Sequence, residues 1–362
     1  MKIAIDTSPI DDQSLISHRV RGVGFYINNL KRSLIKYFPD NKYIFFTQHQ
    51  SGTGFTRGQK LPKDIDLVHY PYFDPFVRSL PLFSMDKFVV TVHDLIPILF
   101  PEHFPGGVKG NLIWKIQKRS LLRAKRIITD SESSKKDIAA KLGFDESKID
   151  VVYLGASDVF KKLEIGNWKL EIEQKFHLPL KFALYVGDVT WNKNLPNLVR
   201  AMKNLDIPLV IVGKALANPE FYSKNPWNDD LNFVNSETKD DKRFIRLGFV
   251  TDEELVKLYN LASLLVMPSL YEGFGLPILE AMSCGCPVVT SSVSSIPEVA
   301  EQAVYYIEPE NVASITKGIA TVFTDEIWRL RLSNLGLAQS KKFSWKKTAN
   351  QTLKVYEKAI SV

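Results

Sequence analysis

Short apolar runs of strand length alternate with amphipathic stretches along this chain. Six such runs lie between residues 2 and 155, and they read KIAID, YIFFT, LVHY, FVVTVHD, RIITDS and DVVYLG. Six more lie between residues 182 and 309, and they read FALYVGD, PLVIVG, RFIRLGF, SLLVMPS, PVVTSS and AVYYIEP. Apolar strands that alternate with helical segments are typical of a parallel sheet covered by helices. The pattern therefore predicts an α/β protein with two such sheets.

The alternation weakens between residues 156 and 180, which separates the two series. We place a first domain at 1–160, a linker at 161–180 and a second domain at 181–342. Both domains are predicted to be doubly wound and Rossmann-like. Ligands bind beyond the carboxyl ends of the strands in such sheets, and clefts between domains are common binding sites. We therefore expect functional residues directly after strands, with the two domains facing each other across a cleft.

The composition agrees with two folded domains. The chain has 362 residues, of which 45% are hydrophobic and 24% are charged; this is long for one hydrophobic core and too apolar for a disordered protein. No signal-peptide pattern is visible at the N-terminus, and no run reaches the roughly 20 apolar residues of a spanning helix. Cys284 and Cys286 lack further zinc ligands around them and are expected to be reduced thiols. We expect a cytoplasmic protein.

The net charge of +7 lies in the first half of the chain. Residues 1–180 contain 27 Lys and Arg against 20 Asp and Glu, whereas residues 181–362 contain 20 of each kind. Part of the excess is a stretch at 109–126 with seven bases and no acid. Five of its bases and one leucine recur at helical spacing, namely Lys115, Lys118, Arg119, Leu122, Arg123 and Arg126. This helix could lie peripherally on an anionic membrane face or could be an ordinary solvated surface helix. No nucleic-acid-binding motif is present, so nucleic acid is not an expected partner.

The stretch YEGFGLPILE at 271–280 suggests a site for a polyol and a phosphate. It follows a predicted buried strand, and Pro277 suits the first position of a helix whose N-terminus would attract an anion. Gly273 and Gly275 allow a ligand to approach the backbone. Glu272 and Glu280 are poor phosphate ligands but good acceptors for hydroxyl groups. Alternatively, Glu280 only favours the helix dipole and Glu272 is a solvated loop charge.

Further motifs accompany this stretch, namely GVGFY at 22–26, HDLIP at 93–97, YVGDVTWNKN at 185–194, LGFV at 247–250 and SSIPEV at 294–299. Together with EGFGLPILEAMSCGCPVV they resemble the retaining glycosyltransferases of family 4, which have the GT-B fold, and in particular its mannosyltransferase-like members. The resemblance covers nearly the whole chain. It implies that the amphipathic tail at 343–362 crosses back onto the first domain.

The resemblance also implies roles for single residues. Glu272 would contact the hydroxyls of the donor sugar, and Glu280 would bind the nucleotide ribose. His93 would line the donor-sugar pocket, with its backbone carbonyl stabilising positive charge at the anomeric carbon, although a histidine after a strand can be purely structural. The remaining residues expected to line the donor site are Gly22, Gly24, Gly187, Leu247, Val250, Gly273, Phe274, Gly275 and Leu276.

One motif departs from the pattern of the family. An Arg usually precedes the Lys of the stretch GDVTWNKN, and in this chain Asn192 takes that place while Lys193 is retained. Lys193 is therefore expected to be the main cation for the diphosphate, since asparagine cannot neutralise charge. Either another base substitutes for the missing cation, or stabilisation of the leaving diphosphate depends more on the helix N-terminus.

The sequence thus predicts a retaining glycosyltransferase that moves a hexose from a nucleotide diphosphate sugar to a hydroxyl of a saccharide or lipid-linked saccharide. GDP-mannose is the expected donor, and a UDP- or dTDP-sugar is the alternative. No cofactor and no metal are expected, because no Asp-x-Asp follows a predicted strand. A GT-B epimerase or phosphorylase and a non-catalytic saccharide-binding protein are the rival interpretations.

Overall fold

The computed structural model describes residues 1–11, 22–51, 54–57, 61–81, 87–222 and 224–361. Its described residues form two parallel six-stranded sheets and one short antiparallel hairpin. Fourteen strands are present in this part of the chain: β1 Lys2–Asp6, β2 Lys42–Phe46, β3 Gln48–Ser51, β4 Gly54–Arg57, β5 Leu67–Tyr70, β6 Phe88–Thr91, β7 Arg126–Thr129, β8 Ile149–Val151, β9 Ala183–Val186, β10 Leu209–Val212, β11 Phe244–Gly248, β12 Leu264–Met267, β13 Val288–Ser291 and β14 Tyr305–Ile307.

The helices lie between these strands and after the last one. They are α1 Ser8–Asp11, α2 Gly22–Tyr37, α3 Ile96–Leu99, α4 Gly107–Leu121, α5 Glu132–Leu142, α6 Trp168–Phe176, α7 Leu195–Lys203, α8 Lys214–Ala217, α9 Pro219–Tyr222, α10 Asp230–Thr238, α11 Asp252–Leu261, α12 Leu276–Ser283, α13 Ile296–Ala300, α14 Val312–Thr324, α15 Glu326–Ser340 and α16 Trp345–Ile360. Single 3-10 turns occur at Glu146–Lys148, Trp191–Lys193 and Pro226–Asn228. No helix among the described residues is long and apolar enough to cross a membrane.

The chain forms two compact units, each built around one sheet. The first comprises Met1–Pro101, Gly106–Gly155 and Ser344–Val362, and the second comprises Glu102–Pro105 and Ala156–Phe343. The change from the first unit to the second thus falls at Gly155, before the linker expected from the sequence. The C-terminal helix α16 belongs to the first unit.

The first sheet has the strand order β2-β1-β5-β6-β7-β8, and all of its pairs are parallel. Strand β5 is buried at all four positions because helices cover both faces of the sheet. Helix α16 packs with α2 against this sheet, and its side chains Trp345, Ala349, Leu353 and Tyr356 are buried.

The second sheet has the order β11-β10-β9-β12-β13-β14, also wholly parallel. Strands β10 and β11 are added beside β9 on one side, and β13 and β14 are added beside β12 on the other. The neighbours β9 and β12 therefore form the switch point of a doubly wound sheet. Loops that leave a switch point diverge and open a crevice at the carboxyl ends of the strands. In this unit the two loops contain Lys193 and Glu272.

The basic stretch differs from its prediction in two respects. Helix α4 ends at Leu121, so Arg123 and Arg126 are not part of it. Arg126 instead opens β7, where its guanidinium pairs with the Asp150 carboxylate. The same stretch exposes an apolar side chain within the helix, since Leu112 is 61% exposed.

Candidate active site

The loops after β9 and β12 are joined by two asparagines. The Asn192 carbonyl accepts a hydrogen bond from Leu270 N at 2.8 Å, and its side-chain amide donates to the Tyr271 carbonyl at 3.1 Å. Asn194 adopts a left-handed φ of 57°, and its amide donates to the carbonyls of Pro268 at 2.9 Å and Pro309 at 2.7 Å. Asn192, which the sequence identified only as a lost cation, is therefore a buried structural link between the two loops.

Lys193 and Glu272 form an ion pair across this junction. The Lys193 ammonium donates to Oε1 of Glu272 at 2.8 Å and to Oε2 at 2.9 Å. The side chains are 20% and 6% exposed, respectively, so the pair is shielded but still reachable from solvent. An ammonium has three donors, and a carboxylate has about four acceptor positions. Both groups can therefore bind a ligand without separating.

Three serines fix the position of Glu272. The Ser269 hydroxyl donates to Oε1 at 2.6 Å, which orients the carboxylate. Glu272 N donates to Ser294 Oγ at 2.8 Å, and the Ser295 hydroxyl donates to the Glu272 carbonyl at 3.0 Å. The last two serines begin the SSIPEV motif, so this motif holds the backbone of the glutamate loop.

Helix α12 starts immediately after this loop without a side-chain cap. Gly275 precedes it at a φ of 95°, a conformation that favours glycine. Leu276 is the first helical residue, so Pro277 occupies the second position rather than the predicted first one. The initial turn carries no acidic residue. An uncapped helix start of this kind favours an anion.

Glu280 is the fifth residue of α12 and has a different partner. The buried Tyr259 hydroxyl donates to Glu280 Oε2 at 3.1 Å. Burial first, and then the charge of Glu280, raise the pKa of Tyr259 well above its usual value. Tyr259 therefore stays protonated as a donor to Glu280. The two glutamates of the motif are both buried, yet they are held by separate networks.

The other residues predicted to line the donor site of this unit lie at the ends of its strands. Gly187 follows β9, and its N–H donates to the Val212 carbonyl at 3.0 Å. Leu247 lies in β11 and is half-buried, whereas Val250 and Phe274 are buried. Phe274 packs edge-on against Phe343 at 6.1 Å between ring centroids, which gives its ring a role in the core.

His93 lies in the first unit, after β6. Its Nδ1 is 2.6 Å from Oδ2 of Asp130, which follows the neighbouring strand β7. Burial alone would lower the pKa of His93, but the Asp130 carboxylate, and to a smaller extent Asp94, raise it above the usual value. The Tyr26 ring packs edge-on against the imidazole at 4.7 Å.

Gly22 and Gly24 lie in the first turn of α2, the helix that also carries Tyr26. Gly22 is exposed, and Gly24 is buried. Arg21 lies outside the described residues. These glycines and His93 belong to the first unit, while Lys193, Glu272 and Glu280 belong to the second.

The sequence missed the partners of the predicted residues. Asp130 could have been found, because it is polar and directly follows a predicted strand. Ser269, Ser294 and Tyr259 carry no local signal that they hold a glutamate. No cluster of three or more His, Cys, Asp or Glu side chains that could hold a metal occurs in the part of the chain that the structure describes.

Comparisons with known proteins match both units. The family described as "Glycosyl transferases group 1" matches residues 167–338, and "Glycosyltransferase Family 4" matches residues 20–158. The "O-antigen chain mannosyltransferase B" of Escherichia coli is 34% identical over 281 residues, covering 75% of this chain and 71% of that protein.

Two further likenesses extend over more of the chain. The "Serotype-specific mannosyltransferase WbdA" of Escherichia coli is 27% identical over 361 residues, covering 92% of this chain. This chain spans only 43% of the length of that relative. The solved structure of sucrose-phosphate synthase from Thermosynechococcus elongatus has a TM-score of 0.73 at 19% identity and covers 98% of both chains, which shows a common GT-B fold.

Proposed function

The chain belongs to glycosyltransferase family 4, and from this membership we propose that it transfers mannose from GDP-mannose to a hydroxyl of a saccharide or lipid-linked saccharide, with retention of configuration. The Lys193–Glu272 pair at the switch point of the second sheet is the observation that carries the proposal. It combines a cation for a diphosphate with a carboxylate for sugar hydroxyls beside an uncapped helix start.

Each side chain has one task in this scheme. Glu272 accepts hydrogen bonds from the donor sugar, and Glu280 accepts one from the ribose while Tyr259 holds it in place. Lys193 and the first turn of α12 stabilise the negative charge that develops on the leaving diphosphate, which is where preorganised charge accelerates a reaction most. The acceptor hydroxyl attacks from the face that the diphosphate leaves, and the leaving phosphate oxygen takes the proton of that hydroxyl.

The choice of mannose rests on relatives, and GDP is the nucleotide that the resemblance to mannosyltransferase-like members implies. Two proteins that resemble this chain are named as mannosyltransferases. The motifs HDLIP and SSIPEV belong to the resemblance to such members that the sequence shows. UDP- and dTDP-sugars are the alternative donors. Thermal denaturation with GDP, UDP, dTDP and ADP discriminates among them, because a nucleotide at 100 times its Kd stabilises the folded state by about 2.7 kcal/mol. We expect the largest rise in Tm with GDP; an equal or larger rise with UDP would overturn the donor assignment.

The rival interpretations predict different products. A phosphorylase of the glycogen type would carry pyridoxal phosphate on a lysine and would show its absorbance. An epimerase would release a free sugar or an altered nucleotide sugar without an acceptor. A non-catalytic saccharide-binding protein would leave GDP-mannose intact even in the presence of acceptors.

We also propose that α4 attaches the protein to an anionic membrane surface. Three apolar side chains near this helix are exposed, Val108 at 92%, Leu112 at 61% and Leu122 at 43%. They are flanked by exposed bases at Lys109, Lys115, Arg119 and Arg123. A base near an anionic leaflet contributes about 1 kcal/mol, and neighbouring apolar side chains can enter the headgroup region.

Sedimentation with lipid vesicles tests this attachment. Wild type should pellet with vesicles containing anionic lipid, should not pellet with neutral vesicles, and should be released by salt. Replacing Lys109, Lys115, Arg119 and Arg123 by Gln should abolish pelleting. The matched control removes the same charge from exposed lysines of the second unit, at Lys239, Lys242, Lys317 and Lys341. If the α4 variant pellets as much as the control variant does, α4 is only a solvated surface helix.

A further inference from the structure

His93 and Asp130 form a buried dyad at the ends of two neighbouring strands of the first sheet. Asp130 is 3% exposed, and its Oδ2 is 2.6 Å from His93 Nδ1. Its other oxygen, Oδ1, is buried and has no hydrogen-bond partner among the described residues. A buried carboxylate is expensive unless a cation or several donors compensate it. His93 is the group that this carboxylate contacts, so the pair favours an imidazolium with its Nδ1 proton directed at Asp130.

A chain of buried hydrogen bonds fixes the ring that packs against this dyad. The Tyr26 hydroxyl is 3.0 Å from Thr91 Oγ1, which is 2.8 Å from His69 Nε2. His69 Nδ1 is in turn 2.7 Å from the hydroxyl of Tyr356, on α16. Since Tyr26 packs edge-on against His93 at 4.7 Å, the imidazole plane is set by Asp130 on one nitrogen and by an aromatic edge.

The second nitrogen of His93 has no such partner. Nε2 is buried and makes no hydrogen bond of normal geometry to a described residue, although the Pro71 carbonyl contributes weakly to the raised pKa. A buried donor that lacks a well-formed hydrogen bond costs up to about 1–3 kcal/mol. A sugar hydroxyl is an acceptor that would remove this cost when it binds.

The charged and titratable groups around His93 come from four elements. Asp130 follows β7, Asp94 follows β6, His69 lies in β5, and Tyr26 lies in α2. Burial first, and then the neighbouring His93, lower the pKa of His69 to about 3, so His69 is neutral at physiological pH. Burial raises the pKa of Tyr26 above its usual value, so Tyr26 is also neutral. The positive charge of this cluster therefore belongs to His93.

We propose that Asp130 is a positioning residue for the glycosyl transfer, which holds His93 protonated and fixes its Nδ1 so that Nε2–H is the donor presented to the substrate. The inference rests on the proposed function, in which His93 serves the donor sugar. Asp130 acts through His93 and does not itself contact the sugar.

The test compares a variant that removes the charge of Asp130 but keeps its shape with a variant that keeps the charge. Asp130→Asn retains an acceptor for Nδ1 but removes the carboxylate, and Asp130→Glu retains the carboxylate as the conservative variant. Thr129→Val is the matched control at the end of the same strand, because the Thr129 hydroxyl is buried without a partner among the described residues. Its removal should leave His93 unchanged.

Two readouts separate positioning from general structural damage. Nitrogen-15 resonances of the histidines in the full chain, with His93 assigned by its loss in His93→Gln, report the pKa and tautomer of this residue. The pH profile of kcat should have an alkaline limb set by deprotonation of His93. In Asp130→Asn both the pKa and this limb should move to lower pH, and kcat should fall by about 10- to 100-fold, the range known for loss of a carboxylate that orients a metal-binding histidine. Asp130→Glu should restore the pKa and part of kcat.

An unchanged His93 pKa in Asp130→Asn would overturn the proposal, as would an equal shift in Thr129→Val. If Asp130→Asn does not fold, an ordinary His93 pKa in folded Asp130→Glu would overturn the proposal as well. The resonance measurement needs no substrate. A wild type that shows the dyad but transfers no mannose would therefore contradict the proposed function and not the state of the dyad.

Discussion

Glu272 and Glu280 have different partners, and this difference predicts different defects when each is replaced. Glu272 is paired with Lys193, and Glu280 is held by Tyr259 inside α12. If Glu280 binds the ribose, Glu280→Gln should weaken binding of GDP about tenfold or more, the effect of roughly 1.4 kcal/mol from one lost charge-assisted hydrogen bond. Glu272→Gln should bind GDP nearly as wild type but should lose transfer. Calorimetry with GDP measures both.

Tyr259→Phe serves as an intermediate case in the same titration. It leaves the Glu280 carboxylate in place and removes only the hydroxyl that orients it. We expect a smaller loss of GDP affinity than for Glu280→Gln. Equal losses for Glu272→Gln and Glu280→Gln would contradict the division of roles.

The two buried histidines of the first unit should give stability opposite dependences on pH. The folded-state pKa of His69 is depressed to about 3 from a usual 6.5, so its contribution is complete above 6.5 and is lost as the pH falls from there toward 3. This loss is on the order of 5 kcal/mol. The folded-state pKa of His93 is raised, so its contribution is complete below 6.5 and is lost as the pH rises through the folded value.

Urea unfolding at a series of pH values measures both effects as changes in the free energy of unfolding. The His69→Gln variant should lose the component on the acid side, and His93→Gln should lose the component above pH 6.5. If the plots of unfolding free energy against pH for His69→Gln and wild type run parallel from pH 6.5 to 4, His69 is not buried as a neutral group.

At the scale of residues, the sequence singles out Glu272 and Lys193 as candidates, but the network that holds them could not be predicted. Glu272 and Lys193 stand in recognisable motifs. Their supports, such as Ser294 and Asn192, act through bonds between loops that are 22 and 79 positions apart in the chain. Local patterns carry no trace of such pairings, and Asn192 was therefore interpreted only as a missing charge.

At the scale of elements, all twelve apolar runs contain strands, because short runs rich in β-branched and aromatic residues and bounded by turn residues are typical of strands. The hairpin of β3 and β4 was not predicted, since QHQS and GFTR are short and polar. The end of α4 at Leu121 was also missed. The helical spacing of bases continues beyond it to Arg126, whose pairing with Asp150 belongs to a strand.

The C-terminal helix α16 should depend on one buried hydrogen bond to the first sheet. The Tyr356 hydroxyl contacts His69 Nδ1 at 2.7 Å, and both residues are fully buried. Tyr356→Phe leaves that nitrogen without a partner and should lower the free energy of unfolding by about 1–3 kcal/mol. Chemical denaturation measures this change.

Tyr37→Phe is the matched control for this helix. Tyr37 is half-buried at the end of α2 and makes ring contacts with Lys36 and Lys346. Its replacement should change stability by no more than about 0.5 kcal/mol. If Tyr356→Phe is as stable as this control, the buried hydrogen bond does not contribute to holding α16 on the first sheet.

At the scale of the whole molecule, two doubly wound sheets could be predicted from sequence, but the order of their strands could not. Periodicity shows which segments are strands, whereas neighbours in a sheet are set by crossovers that leave no periodic signal. The order β11-β10-β9-β12-β13-β14 is what places the Lys193 and Glu272 loops side by side. The change of unit falls at Gly155, a few residues before the expected boundary. The sequence does not mark this position sharply, since the stretch from there to residue 180 has only a weak pattern of apolar and polar residues.

Catalysis is predicted not to require a divalent metal. The ammonium of Lys193 and the uncapped start of α12 supply positive charge where a metal would act in other transferases. Transfer measured in excess EDTA should equal transfer in untreated buffer. Activity that is lost in EDTA and returns with Mn²⁺ would contradict this prediction.

The central claim is that the site at Lys193 and Glu272 transfers mannose from GDP-mannose with retention. The most direct test incubates the protein with GDP-mannose and a mannose-terminated acceptor, and determines the anomeric configuration of the new linkage by nuclear magnetic resonance. We predict an α-linked product, as in the donor, for wild type and at least about a hundredfold slower formation for Glu272→Gln, the loss typical of one removed electrostatic contact in a transition state. A β-linked product, or an undiminished rate in Glu272→Gln, would contradict the account.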